Sequence, residues 1–591
     1  MAIINGTAGN EVIPGTAGDD TINGLDGNDG LFGQAGNDIL NGGNGDDALV
    51  GNEGADQFHG GAGLDRVDYG QSSAAVTIDL RDGAVFGGEA PGDTFDSIEN
   101  LIGSQFDDTL FGDDGGNLLN GGNGGNDVFG GRGGDDVLQG GDGNDRLFGD
   151  DGDDQIFGDA GDDALVGNAG ADILNGGDGF DRVDYGQSLT GVTINLATGV
   201  GSGGDPDGDT YISIESALGS AHNDVLTGDD GVNQLLGRAG NDTLDGGLGN
   251  DDVRGEDGND MLYGGAGADT IDGGNGTDAA GYYQSDAAVT VDLAAGTGTG
   301  GHVEGDVLSN IENLGGSTFD DTLSGNAGVN LINGGGGDDT VAGAGGNDTL
   351  YGGNGTDQVD GGDGWDTLQG EAGDDQLTGG AGGDILRGGD GADHLTGGAD
   401  GDIASYWDSA VGVTINLETN VNTGGAAQGD TIDDDVELIH GSNHDDVMTG
   451  NALTNGLIGF DGDDALSGAG GNDTLRGGAG ADTLNGGSGS DYFSYTDVSD
   501  STAAAADTIQ DFQAWDVISV RTIDADGNAA NGDTAFSFIG TGAFSGTAGQ
   551  LRYEIAGDAT TVSADVDGDS TADLVVHLTG AITLQASDFM L

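Results

Sequence analysis

Apolar residues recur along most of this chain at one position in nine. From Gly15 the units GTAGDDTIN, GLDGNDGLF, GQAGNDILN, GGNGDDALV, GNEGADQFH and GGAGLDRVD place Ile22, Leu31, Leu40, Leu49, Phe58 and Val67 in the eighth position. Gly fills the first and fourth positions of nearly every unit, and a weaker unit with Glu11 in the acid place precedes them. Polar residues flank each apolar one, and this alternation over three residues predicts a very short strand. The Gly-rich residues before it predict a turn. One unit cannot bury its own apolar side chain. Two units back to back make a flattened coil with both apolar residues inward, and such coils stack at about 4.8 Å. The pattern predicts an all-β solenoid of parallel strands in which each repeat touches only its neighbours.

The phase breaks four times, and the breaks are themselves repeated. Each opens on a tyrosine: Tyr69, Tyr185, Tyr282 and Tyr406. An alternating run follows at Val76, Val192, Val289 and Val413, then Asp93, Asp209, Asp306 and Asp430, then Glu99, Glu215, Glu312 and Glu437. A Gly-Ser restarts the units, and the second unit after each restart has Asn in sixth place: Asn117, Asn233, Asn330 and Asn455. The expected organisation is repeat blocks at 1–68, 103–184, 219–281, 316–405 and 441–491. Interrupting segments at 69–102, 185–218, 282–315 and 406–440 read as wider coils of the same solenoid, and residues 492–591 as a terminal cap.

Composition changes what must hold such a solenoid together. Of 591 residues 131 are Gly, and Asp plus Glu number 107 against 11 Lys plus Arg, a formal charge of −96. Gly buries nothing and costs the most backbone entropy, so one Leu or Ile per nine ordered residues leaves the bare chain without net stability. Cysteine is absent, which excludes disulfides and thiolate metal sites. So few basic residues argue against nucleic acid as a partner. No apolar run reaches the roughly 20 residues of a membrane-spanning helix, and the first residues lack the basic and apolar stretches of a secretory leader.

The sixth place of the unit carries the chemistry. It holds Asp20, Asp29, Asp38, Asp47, Asp56 and Asp65, then Asp108, Asp127, Asp136, Asp145, Asp154, Asp163, Asp172 and Asp181. It continues with Asp224, Asp242, Asp251, Asp260, Asp269 and Asp278, and with Asp321, Asp339, Asp348, Asp357, Asp366, Asp375, Asp384, Asp393 and Asp402. Asp446, Asp464, Asp473, Asp482 and Asp491 complete the set of 34. Stacking puts these carboxylates in register beside Gly carbonyls, an all-oxygen environment. Hard divalent cations take such ligands, and Ca²⁺ accepts 6–8 of them in irregular geometry where Mg²⁺ demands a tight octahedron. The expected cofactor is Ca²⁺, many ions, about one per nonapeptide.

Gly-Gly-x-Gly-x-Asp-x-apolar-x resembles the RTX nonapeptide, a known Ca²⁺-binding repeat, and the resemblance covers nearly the whole chain. It implies a right-handed parallel β-roll with sixth-place Asp and turn carbonyls holding Ca²⁺ between successive turns. The last hundred residues resemble the C-terminal cap of serralysin-type secreted proteins through DTIQDF (from Asp507), AFSFIG (from Ala535), AFSGTAGQLRYE (from Ala543), DVDGDSTAD (from Asp565) and the ending LQASDFML. Ala514-Trp515-Asp516 departs from that family, which has a Gly-containing turn one residue longer. The resemblance implies that a type I secretion machine reads the C-terminus, and that the protein is secreted to the extracellular space or cell surface. Asp565, Asp567, Asp569 and Asp573 form a further oxygen-rich loop, not an EF-hand, because Ser570 stands where the turn glycine belongs.

Catalysis is not expected. His440 and His444 are four apart without the glutamate of a zinc-protease helix, and no protease or epimerase module is expected beside the repeats. The expected function is a secreted, calcium-folded structural, matrix or adhesive protein, its partners reached by self-association or by cell-surface or glycan contact through calcium. The alternative is a calcium-dependent polysaccharide-binding module, or the repeat region of a serralysin- or epimerase-like enzyme.

Overall fold

A computed structural model describes residues 2–527 and 534–591. The chain falls into two units, Met1–Gly281 with His302–Ile311, and Tyr282–Gly301 with Glu312–Leu591. Both are built almost wholly of short parallel strands, and among the described residues the only helical elements are four single 3-10 turns.

In the first unit, consecutive nonapeptides alternate between two parallel sheets. Val128–Gly133 pairs with Arg146–Asp151, which pairs with Ala164–Ala169. The intervening nonapeptides Val137–Asp142, Gln155–Ala160 and Ile173–Asp178 pair with one another in the same way. Register advances by 18 residues, so Leu147 lies opposite Leu165 and Ile156 opposite Leu174. The eighth-place residues point inward and are fully buried. The fourth-place glycine makes the turn: Gly143 has φ 142°, and a Cβ there would lie 1.5 Å from the Gly125 carbonyl oxygen.

The interruptions are longer coils of the same sheets. Thr94–Asp96 adds in parallel to Gln57–Ala62, and Asn100–Ile102 to Arg66–Asp68. The alternating run supplies Thr77–Asp79, parallel to Thr109–Phe111 after the restart and antiparallel to Val85–Phe86. Arg132 forks onto Asp79 with both terminal nitrogens, tying this coil to the block that follows.

The second unit repeats the scheme. Thr349–Asn354, Thr367–Ala372 and Ile385–Asp390 form one parallel run, and Gln358–Asp363, Gln376–Ala381 and His394–Ala399 the other. Its C-terminal part closes both sheets. Leu574–Thr579 adds in parallel to Asp507–Ile509, then Ala559–Asp565 and Gln550–Ala556 follow antiparallel. Phe589–Met590 pairs with Val517–Ser519 as the last rung of the other sheet, with Phe589 buried.

Candidate metal sites along the aspartate rows

Stacking with an 18-residue register brings each sixth-place carboxylate under the backbone of the previous coil. One oxygen is used there. The Asp136 NH donates to Asp154 Oδ1 at 2.8 Å, the Asp145 NH to Asp163 Oδ1 at 2.7 Å and the Asp154 NH to Asp172 Oδ1 at 2.8 Å. In the second unit the Asp339 NH donates to Asp357 Oδ1 and the Asp473 NH to Asp491 Oδ1.

The other oxygen is not used. Oδ2 is buried without a hydrogen-bond partner at Asp29 through Asp65, Asp127 through Asp181, Asp242 through Asp269, Asp339 through Asp402 and Asp464 through Asp491. A buried acceptor left bare costs free energy and calls for a missing partner. The space beside it has a definite shape. A Cβ on first-place Gly149 would lie 2.1 Å from Asp154 Oδ2 and 2.9 Å from the carbonyl oxygen of Gly167, one coil on. Carboxylate and carbonyl oxygens thus converge where only glycine leaves room. That donor set fits Ca²⁺.

Without a cation the rows are electrostatically strained. Burial, then the neighbouring carboxylates, pushes Asp127 up to about 8 and Asp154 up to about 7. Asp464 is raised to about 8 for the same reasons.

The rows have members outside the sixth-place pattern. Across an interruption the Asp56 NH donates to Asp93 Oδ1 at 2.7 Å and the Asp65 NH to Glu99 Oε2 at 2.9 Å. Asp209 and Glu215, and Asp430 and Glu437, take the same places. The carbonyl of Ser97, at φ 54°, faces first-place Gly60 and Asp65 Oδ2 as a glycine carbonyl does elsewhere. Asp507 and Asp516 extend the rows into the cap, accepting from the Asp482 and Asp491 NH groups at 3.0 and 3.1 Å. Their spacing of 25 residues hid them, and Asp516 Oδ2 also takes the Gln513 NH across the shortened turn.

Five expected ligands differ from the rest. Asp20 Oδ2 accepts from the Thr16 NH and hydroxyl. Asp108, Asp224, Asp321 and Asp446 accept on Oδ2 from the NH of Ser104, Ser220, Ser317 and Ser442.

Carboxylate oxygens of Asp565, Asp567 and Asp573 lie within 4.8 Å of one another; Asp569 does not join them. Asp565 already accepts from the NH groups of Gly568 and Ser570, and Asp573 from that of Val566. The His440 ring packs edge-on against Phe460 at 5.4 Å, and burial lowers its pKa.

A family model described as Peptidase M10 serralysin C terminal matches residues 175–591. A second, described as RTX calcium-binding nonapeptide repeat (4 copies), matches 5–40, 41–72, 94–128, 102–135, 130–165 and 149–183. No curated protein matches the chain. Among solved structures it is similar to two subunits of the mannuronan C5-epimerase of Azotobacter vinelandii. The AlgE6R3 subunit is 27% identical over 25% of this chain and 78% of that one, with a TM-score of 0.19. The AlgE6R2 subunit is 29% identical over 26% and 91%, with a TM-score of 0.21.

Proposed function

Because this chain belongs to the Peptidase M10 serralysin C-terminal family and carries RTX calcium-binding repeats, we propose that it is a secreted, non-catalytic structural protein that folds on calcium outside the cell. The supporting observation is the buried row of carboxylate oxygens without partners, most of them beside a glycine carbonyl of the next coil. Bound there, calcium supplies the positive charge that the sequence lacks. The ligands we assign are the block aspartates with an open Oδ2, together with first-place glycine carbonyls. The Asp565, Asp567 and Asp573 loop is a separate candidate, with Asp565 buried and Asp567 exposed.

Folding and cation binding are one event in this reading, because the cage does not exist in the unfolded chain. A chain kept unfolded at low internal calcium stays threadable for a type I exporter that reads its C-terminus. It then becomes rigid where calcium is abundant, and no oxidative step is needed. Far-UV circular dichroism in chelator and after calcium addition tests this. Disorder giving way to β-structure is expected, and the same ordered spectrum in both would refute it. A screen of the folded protein against casein and alginate tests the absence of catalysis, and clear turnover would overturn it.

One surface favours a second reading, calcium-dependent polysaccharide binding. A groove of about 540 Å³ in the first unit is lined by Asn126, Asn144, Arg146, Asp162, Phe180 and Arg182. Phe180 is 38% exposed there, so a sugar ring could lie on it with polar groups on the two guanidinium ions. A glycan pull-down with and without calcium separates the two readings.

A further inference from the structure

Acids of the rows are of two kinds. Inside a block, one oxygen takes a backbone NH and the other takes nothing. At a block boundary the second oxygen of the row aspartates is taken as well, by a tyrosine hydroxyl or a serine NH, and an asparagine whose one oxygen is also taken stands in for the next aspartate.

The first donor is the tyrosine that opens each interruption. Tyr69, Tyr185 and Tyr406 stand in the first place of what would be the next nonapeptide, where blocks have glycine. Their hydroxyls donate to Asp93 Oδ2 at 2.6 Å, Asp209 Oδ2 at 2.5 Å and Asp430 Oδ2 at 2.9 Å. All three rings are buried. The second donor is the restart serine. The Ser220 NH donates to Asp224 Oδ2 at 2.6 Å and its hydroxyl to Asp224 Oδ1 at 2.8 Å. Asp224 Oδ1 also takes the Val192 NH from the alternating run.

The third is a backbone NH onto the recurring asparagine. Asn233 Oδ1 accepts from the Asp229 NH at 2.7 Å, four residues earlier. Its Nδ2 donates to the Glu215 carbonyl at 3.3 Å, and the counterpart Asn117 Nδ2 to the Glu99 carbonyl at 2.8 Å. Aspartate at Asn117, Asn233 or Asn330 would set a carboxylate oxygen against a carbonyl oxygen, which accounts for the amide at these three restarts.

We propose that the boundaries at Tyr69–Asn117, Tyr185–Asn233 and Tyr406–Asn455 contain cation-free coils. There a tyrosine hydroxyl, a serine NH and an asparagine amide fill the valences that calcium fills in the blocks, so the blocks load as separate arrays. This rests on the calcium reading above. Because such coils need no ion to satisfy their polar groups, each gives the adjoining block an ordered rung to stack on.

The test counts calcium bound per full-length chain at saturation, by equilibrium dialysis. Asp154→Asn and Asp163→Asn, inside a block, are expected to lose at least one ion. Asp209→Asn and Asp224→Asn, at a boundary, are expected to keep the wild-type count, and Asn233→Asp to add none. Loss of an ion in either boundary variant, or a gain in Asn233→Asp, overturns the proposal. Should a boundary variant fail to fold, the wild-type count decides: fewer ions than the 34 sixth-place aspartates is required, and 34 or more overturns it. A wild-type chain that binds no calcium, or block variants that keep the full count, would instead remove the calcium reading itself.

Discussion

Gly149→Ala probes the proposed cage at its tightest point. Its φ is ordinary, so alanine brings no backbone strain, only a methyl group 2.1 Å from Asp154 Oδ2. Overpacking of this kind costs about 1–3 kcal/mol. Shared over the seven aspartates from Asp127 to Asp181, the penalty raises the calcium midpoint of that block by about 1.3- to 2-fold, because affinity varies exponentially with free energy per ion. The ion count should fall by one. Gly112→Ala is the matched control: its methyl would lie 2.0 Å from Asn117 Oδ1 and 2.7 Å from the Gly131 oxygen, an equivalent clash in a coil assigned no ion. It should lower the melting temperature of the loaded protein and leave the count unchanged. Calcium titration followed by circular dichroism, with equilibrium dialysis for the count, reads both. If Gly149→Ala retains the wild-type count and midpoint, the space beside Asp154 holds no cation and the reasoning fails.

Three further outcomes follow from the same geometry. The block aspartates have folded pKa values raised above the unfolded value, to about 8 at Asp127 and Asp464. The metal-free fold therefore binds more protons than the unfolded chain, and its stability falls as pH rises from about 4 to 8; in chelator, circular dichroism should show more β-structure at pH 5 than at pH 8. Tyr406→Phe leaves Asp430 Oδ2 buried and bare, and should cost the calcium-loaded protein about 1–3 kcal/mol, measured by thermal melting. Phe589→Ala removes a buried ring from the last rung and should cost about 3–5 kcal/mol, read as earlier proteolysis of the C-terminal part.

The coil itself was legible because its signal is repeated. Leu147 and Leu165 sit 18 apart in sequence and opposite each other in the sheet, so period and register are one number. Where the spacing changes, that link is lost. Asp93 follows Asp56 by 37 residues and Asp507 follows Asp482 by 25, yet both occupy the next rung; the recurrence of Asp93 in every break marked it as a feature without giving its rung, and Asp507 has no such repeat. The candidate ligands were legible by residue type but not by valence. Asp224 and Asp242 read alike in the sequence, and only the fold reveals that the Ser220 NH turns back onto one of them. The conserved spacing of tyrosine and aspartate within each break was visible, whereas the hydroxyl-to-carboxylate bond it encodes required the third dimension.

The final dipeptide strand has a consequence for the order of events in the life of the chain. Phe589 is buried and its backbone pairs with Ile518, while Met590 beside it stays exposed, so the folded protein covers the aromatic residue of the tail that the proposed exporter would read. Under the proposed secretion, an exporter would meet Phe589 before the array sets, while the last rung is still unpaired.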